Sequence, residues 1–178
     1  VKALECMPEQ LSEIIINSYK YHLKSNILIV RGNNIFGKRQ YPEKLIPSCI
    51  YNLLKNKPIR LHGNGKHIRC YLSVNDFADA VYLLIKKKKI GTYNIGNNKY
   101  YRNIDVAKLI CRNLNFNPKK FIKFIKDRPF NDKRYSINIS KIKTLGWKPK
   151  RNLNSEIKSI IKWYSNNYKI FKFKISNL

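Results

Sequence analysis

The sequence predicts a mixed α/β fold. Three observations carry that prediction: amphipathic helical periodicity in several segments, short apolar and β-branched runs between them, and turn residues at the boundaries. The 178 residues include 43% hydrophobic and 12% aromatic side chains, enough for a packed core.

The elements follow in order. Pro8 to Leu23 reads as a helix with Pro8 in its first turn and an apolar face of Leu11, Ile14, Ile15 and Tyr19. Ile27 to Val30 suits a buried parallel strand, although no partner for it is evident in the chain. A Gly- and Asn-containing loop runs from Gly32 to Pro42, and Leu45 to Leu54 forms a second helix. Ile59 to His62 and His67 to Leu72 flank Gly63-Asn64-Gly65, which predicts a β-hairpin. Asn75 or Asp76 is the expected cap of a helix that turns Phe77, Ala80, Val81 and Leu84 to one side. Thr92 to Ile95 is a strand ended by Gly96, and Asn103 is placed to cap a helix from Ile104 to about Leu114. A strand near Phe121 to Phe124 leads into the loop Asp127 to Asp132. Ser140 opens a short helix that stops at Gly146, and Ser155 to about Asn167 is a last helix with Ile157, Ile160, Ile161 and Tyr164 inward.

Lys and Arg total 37 against 10 Asp and Glu, a net charge of +27. Two readings stand. One is a polyanionic partner, with non-specific nucleic acid binding from charge alone. The other is a compositional excess of Lys, Asn and Ile, as an A/T-rich genome produces. The charge is spread along the chain, and Lys86 to Lys89 falls at a helix end, which favours the second. No apolar run approaches the roughly 18 residues of a membrane span. No apolar leader is evident, so a soluble, cytoplasmic protein is expected. Cys6, Cys49, Cys70 and Cys111 lack C-x-x-C spacing, and His62, His67 and Cys70 straddle the predicted hairpin without a fourth ligand, so no metal is expected.

Five stretches carry a family resemblance. They are Arg31 to Gly37 (RGNNIFG), Tyr41 to Pro47 (YPEKLIP), Leu61 to Arg69 (LHGNGKHIR), Tyr93 to Gly96 followed by Asn103 to Asp105, and Asp127-Arg-Pro129 with Arg134-Tyr135 and Leu145 to Pro149. In this order the set resembles the extended short-chain dehydrogenase/reductases, and the dTDP-glucose 4,6-dehydratases best. Tyr41 to Pro47 is the most specific, because it separates the dehydratases from many epimerases. The likeness runs from about residue 11 to residue 166.

The resemblance implies the C-terminal part of an extended Rossmann-type dehydrogenase. Residues 1–40 would be a remnant of the NAD-binding part, one helix and one strand. Residues 41–178 would be a small mixed α+β subdomain that binds a nucleotide sugar. It also implies roles. Asn34 matches an Asn at the sugar diphosphate, Lys44 and Leu45 a pair that meets the nucleotide sugar, Arg69 and Arg128 two arginines at the diphosphate, and Asn103 a nucleotide contact. Arg60 and His62 fall where Pro and an aromatic residue line the thymine pocket; Arg60 departs from that pattern. Asn131 stands where bacterial members often have His. The residue types suit such a ligand: an Arg fork matches paired anionic oxygens, and an amide offers both a donor and an acceptor. Taken singly, Asn103 also reads as a helix cap, Arg69 as an outward strand residue and Lys44 as one lysine among many.

The family's catalytic half has no counterpart. None of the seven glycines forms a G-x-G-x-x-G or G-x-x-G-x-x-G turn for NAD. The family's Tyr-x-x-x-Lys pair would fall near Glu5 and Glu9. Tyr51 with Lys55, Tyr82 with Lys86 and Tyr168 with Lys172 have the spacing but lie downstream, as chance matches do among 12 Tyr and many Lys. The first residue is Val1 and the only Met is Met7, which points to a fragment. The expectation is a nucleotide-sugar-binding part, inactive alone. NAD belongs to the intact family and is not expected on this chain by itself, dTDP-glucose is the expected partner, and a homodimer would form through residues 8–23. A non-catalytic nucleotide-sugar-binding relative and a basic nucleic-acid-binding protein are the alternatives.

Overall fold

A computed structural model describes residues 7–129 and 137–171, with side chains from residue 11 onward. Asn131, Arg134, Tyr135, Glu5 and Cys6 lie outside the described residues. In chain order the elements are α1 (Met7–Leu23), β1 (Leu28–Gly32), β2 (Ile35–Phe36), α2 (Leu45–Leu54), β3 (Ile59–His62), β4 (Ile68–Cys70), β5 (Leu72–Ser73) and α3 (Val74–Lys86). There follow β6 (Gly91–Ile95), β7 (Tyr100–Arg102), α4 (Asn103–Asn113), α5 (Pro118–Phe121), β8 (Ile122–Ile125), α6 (Ser140–Lys143) and α7 (Leu153–Asn167), which runs into a 3-10 turn.

Two cores form. Ile46, Cys49, Ile50 and Leu53 of α2 pack with Val106, Ala107, Ile110 and Cys111 of α4 and with Leu153, Ile157, Ile160, Ile161 and Tyr164 of α7. The helical spacing of each set puts it on one face, so three apolar stripes close on one another. Ile59, Leu61 and Ile122 complete this core from β3 and β8. A smaller core joins Ala80 and Leu84 of α3, Tyr93 and Ile95 of β6, Ile142 of α6 and Trp147, with Leu28 and Val30 of β1 packed against it.

The strand pairings correct two expectations. β1 does have a neighbour: it pairs in parallel with β6, Leu28 opposite Gly91 and Gly32 opposite Ile95. And the segments on either side of Gly63 to Gly65 do not form a hairpin. The turn itself is made, with Gly63 and Gly65 at φ +58° and +69° and the Gly65 N–H donating to His62 O at 3.2 Å. However, β3 pairs in parallel with β8, and β4 pairs antiparallel with β7. The Gly63 N–H continues the first ladder by donating to Ile125 O at 2.9 Å. Beyond the turn, His67 O and Gly65 O accept from the N–H groups of Asn103 and Ile104 at 3.0 and 2.9 Å. The turn therefore passes the chain from one two-stranded sheet to another.

The caps also differ. Ser73, not Asn75 or Asp76, caps α3; its Oγ accepts from Asn75 N–H at 3.2 Å. Asp76 is 1% exposed and holds a distant loop instead. Its carboxylate accepts from Lys150 N–H, Arg151 N–H and the Arg151 guanidinium at 3.1, 2.9 and 2.8 Å. Asn103 is the first residue of α4, after Arg102 in the cap position. Ser140 likewise opens α6 after Ile139. Asn152 and Ser155 form a reciprocal capping box, so α7 starts at Leu153, ahead of the expected Ser155.

α1 is joined to β1 by the Glu13–Arg31 ion pair. Its apolar face is open: Leu11, Ile14, Ile15 and Tyr19 are all exposed.

Candidate functional site

One cavity of about 740 Å³ opens between α2, β3, β4 and the segments that follow β1 and β8. Eight residues chosen from the sequence line it: Asn34, Lys44, Leu45, Arg60, His62, Arg69, Asn103 and Arg128. They come from six separate stretches of chain, and the fold brings them together. The parallel β3–β8 pair sets His62 beside Ile125, which delivers Arg128 to the same rim as Arg60 and His62. The antiparallel β4–β7 pair sets Arg69 opposite Tyr101, just before Asn103.

Local geometry explains several of these residue types. Asn34 has φ +41°, a left-handed conformation that Asn tolerates better than most residues. Its Nδ2 donates to Asn33 Oδ1 at 2.6 Å. Lys44 occupies the N-cap of α2 in extended conformation without a side-chain cap bond. The positive end of the α2 dipole therefore meets the cavity at Lys44 and Leu45. His62 Nδ1 lies 3.1 Å from Lys126 O; a carbonyl only accepts, so Nδ1 carries the proton. Arg69 Nη1 donates to Ile68 O at 2.9 Å.

The wall is strongly basic. Lys44, Lys57, Arg60, Arg69 and Arg128 face one carboxylate, Glu43, which pairs with Lys44 at 3.2 Å on the exposed rim. Two buried amide atoms, Asn33 Nδ2 and Asn103 Oδ1, have no hydrogen-bond partner among the described residues. One is a donor and one an acceptor, and buried groups of this kind are ordinarily satisfied, by a ligand if by nothing else. Burial pushes the Tyr71 phenol and the Cys49 thiol well above their ordinary values. The arrangement suits holding an anion with polar hydroxyl-bearing groups beside it, and offers no phenolate or thiolate to take a proton.

Sequence reasoning missed Asn33, Lys57, Asn52 and Tyr71, all of which line the cavity. The Asn33-Asn34 doublet after an apolar run was a usable signal for the first. Tyr71 and Asn52 had none, because their spacing reads as the inward side of a strand and a helix. Two of the Tyr-x-x-x-Lys matches fall wholly within the described residues. Tyr51 is 1% exposed, its hydroxyl donates to Phe171 O, and Lys55 Nζ sits over its ring at 4.5 Å. Tyr82 is 66% exposed on the outer side of α3. Among the described residues no helix is long and apolar enough to cross a membrane.

Comparison with known proteins identifies relatives. The family model described as GDP-mannose 4,6 dehydratase matches residues 10–160. A dTDP-D-glucose 4,6-dehydratase of Dictyostelium discoideum is 39% identical, over 88% of this chain and 44% of that protein. A dTDP-glucose 4,6-dehydratase of Escherichia coli is 37% identical, over 88% of this chain and 46% of its own length. Among solved structures, the dTDP-glucose 4,6-dehydratase of Bacillus anthracis in complex with NAD superposes with a TM-score of 0.80 at 33% identity. It covers 90% of this chain, and this chain covers 51% of it. The Streptomyces venezuelae enzyme with NAD and TYD bound gives 0.83 at 26% identity, over 90% of this chain and 50% of that one. The chain thus spans about half the length of these relatives.

NAD is present in both of those structures, so its fit to these residues can be tested. Gly32 and Gly37, which flank the Asn33-Asn34 turn, are closed off by the chain itself. A Cβ at Gly32 would meet Ile35 Cδ1 at 2.6 Å, and one at Gly37 would meet Val74 Cγ1 at 2.5 Å. Their bareness serves internal packing and leaves no cradle for a dinucleotide pyrophosphate. Neither of these two glycines offers the open backbone that a dinucleotide pyrophosphate would need.

Proposed function

The chain belongs to the GDP-mannose 4,6-dehydratase family, and from that premise we propose that it is the part of a dTDP-glucose 4,6-dehydratase that grips the nucleotide sugar. In the intact enzyme it would hold substrate for conversion to the 4-keto-6-deoxy sugar. NAD would be bound by a half whose motifs this sequence lacks. Residues 1–40 are then a remnant of the cofactor part and residues 41–178 the nucleotide-sugar part, with β6 crossing back to complete β1.

The observation that carries the reading is the convergence of Arg69, Arg128, Lys44, Asn34 and Asn103 on one basic cavity at a helix N-terminus. Arg69 and Arg128 take the diphosphate, and the amides take sugar and nucleotide hydroxyls. His62 offers a ring for the base, and Arg60 beside it makes the base preference unlike that of the family pattern. A non-catalytic nucleotide-sugar-binding relative is the second reading, since the same basic cavity would hold the ligand without any catalytic half. The open apolar face of α1 supports docking of a second copy through residues 8–23.

Titration calorimetry of the chain with dTDP tests the shared part of both readings. Saturable binding is expected, weakened roughly tenfold or more when Arg69 and Arg128 are both replaced by Ala, since charge-assisted bonds are the strong ones. Unchanged affinity in that variant would remove the diphosphate assignment. Affinity that collapses with salt regardless of base would assign the charge to nucleic acid instead. With added NAD and dTDP-glucose, no 4-keto-6-deoxy product is expected; turnover would show that the chain is complete enough to catalyse.

A further inference from the structure

We infer that His67 is a positioning residue for the cavity: its ring fixes Asp127, and through Asp127 the backbone from which Arg128 reaches in. The inference rests on the nucleotide-sugar reading for what the cavity holds; the contacts stand independently of it.

His67 lies just after the Gly63 to Gly65 turn, and its side chain is 11% exposed. Its Nε2 is 3.3 Å from Asp127 Oδ2. A carboxylate accepts, so Nε2 is the protonated nitrogen on that side. The other carboxylate oxygen, Oδ1, accepts from the Arg128 N–H at 2.8 Å. Asp127 therefore links the His67 ring to the main chain of Arg128. The carboxylate is also pressed against the turn from below: a Cβ at Gly63 would meet Asp127 Oδ2 at 2.8 Å and Cγ at 3.1 Å. A side chain at Gly63 would have to displace that carboxylate, at a φ of +58° that L residues rarely adopt.

The same residue holds a second wall. His67 O accepts from Asn103 N–H at 3.0 Å, at the start of α4. His67 is thus joined by its backbone to Asn103 and by its ring to the residue before Arg128. A second histidine reinforces the arrangement, since His62 Nδ1 bonds to Lys126 O at 3.1 Å. Consecutive residues 126 and 127 are each held by an imidazole from the 62–67 segment. Arg128, next in line, is the first of this stretch whose side chain reaches the cavity. His67 itself does not line it, and its Nδ1 has no partner among the described residues. Its contribution is therefore to placement and not to ligand contact.

The variants His67→Gln and His67→Asn separate placement from mere bulk. The glutamine amide nitrogen reaches about as far as Nε2 and can still donate to Asp127; the shorter asparagine cannot. Two measurements read the outcome in the full 178-residue chain. The first is hydrogen exchange at the Arg128 amide, which needs no ligand. We expect wild-type protection in His67→Gln and several-fold faster exchange in His67→Asn. The second is dTDP affinity by calorimetry, expected to be within twofold of wild type for His67→Gln and about fivefold weaker for His67→Asn. Added to Arg128→Ala, His67→Asn should cause no further loss, because the two changes act through one group. Equal Arg128 exchange in both variants would overturn the inference, as would an undiminished effect of His67→Asn in the Arg128→Ala background. Failure of the wild-type chain to bind dTDP would instead overturn the functional reading, leaving the exchange result to decide the role of His67.

Discussion

Helices α1 and α7 carry the same kind of sequence and meet opposite fates. Both have an apolar residue every three or four positions. In α7, Ile157, Ile160 and Tyr164 are at most 2% exposed against α2 and α4. In α1, Leu11, Ile14, Ile15 and Tyr19 are 48–64% exposed. Periodicity tells a helix which side to bury, but burial needs a partner element, and among the described residues none covers the apolar face of α1. The comparison also separates what binds from what awaits covering. The cavity is lined by α2, β3, β4 and the segments after β1 and β8, and by no residue of α1.

That contrast can be broken by substitution. Ile110→Ala in α4 should cost about 3 kcal/mol in denaturant unfolding, because a fully buried aliphatic side chain leaves a cavity. Ile14→Ala on α1 should change the same measurement by no more than about 0.5 kcal/mol. A large loss from Ile14→Ala would mean that α1 is covered in solution. Asp76→Ala comes next. It strands the backbone N–H groups of Lys150 and Arg151, leaves the Arg151 guanidinium with Asp79 alone, and should cost about 2 kcal/mol with unchanged dTDP affinity. Altered affinity would show that the 150–151 loop communicates with the cavity. The smallest effect concerns pH. The Arg31 guanidinium holds the exposed Glu13 carboxyl below its ordinary value of 4.5. The folded form is thus the stronger acid, so the link from α1 to β1 is intact above pH 4.5 and weakens as pH falls through the lowered folded value. Protection of the α1 amides, corrected for the intrinsic pH dependence of exchange, should fall in that range in wild type and stay constant in Glu13→Gln.

The helices were legible because their signals are local. α2 runs from Leu45 to Leu54 as its apolar spacing predicts, and the inward residues of α7 are those its periodicity names. The pairings were not legible. The Gly-Asn-Gly turn announces a reversal but says nothing about which strand lies beside Ile59, and the answer, Ile122, is far along the chain. Capping was ambiguous because Ser73, Asn75 and Asp76 are all good caps; Asp76 is committed to Lys150 and Arg151 and the Asn75 amide to Glu156, which leaves Ser73. The site was legible only through family resemblance. No periodicity relates Asn34 to Arg128, and their meeting follows from the same distant pairing that the turn concealed.

Among the described residues, all four strand pairs join segments well separated in sequence, and none is made between neighbours across a tight turn. Such topologies fold slowly, since long loops must close before any ladder forms. During synthesis β3 emerges well before β8, and its unpaired edge waits on the ribosome for Ile122 to Ile125. The binding cavity cannot exist before Arg128 has been made. A nascent chain therefore passes through an interval in which the edges of β1 and β3 are unpaired and open to association.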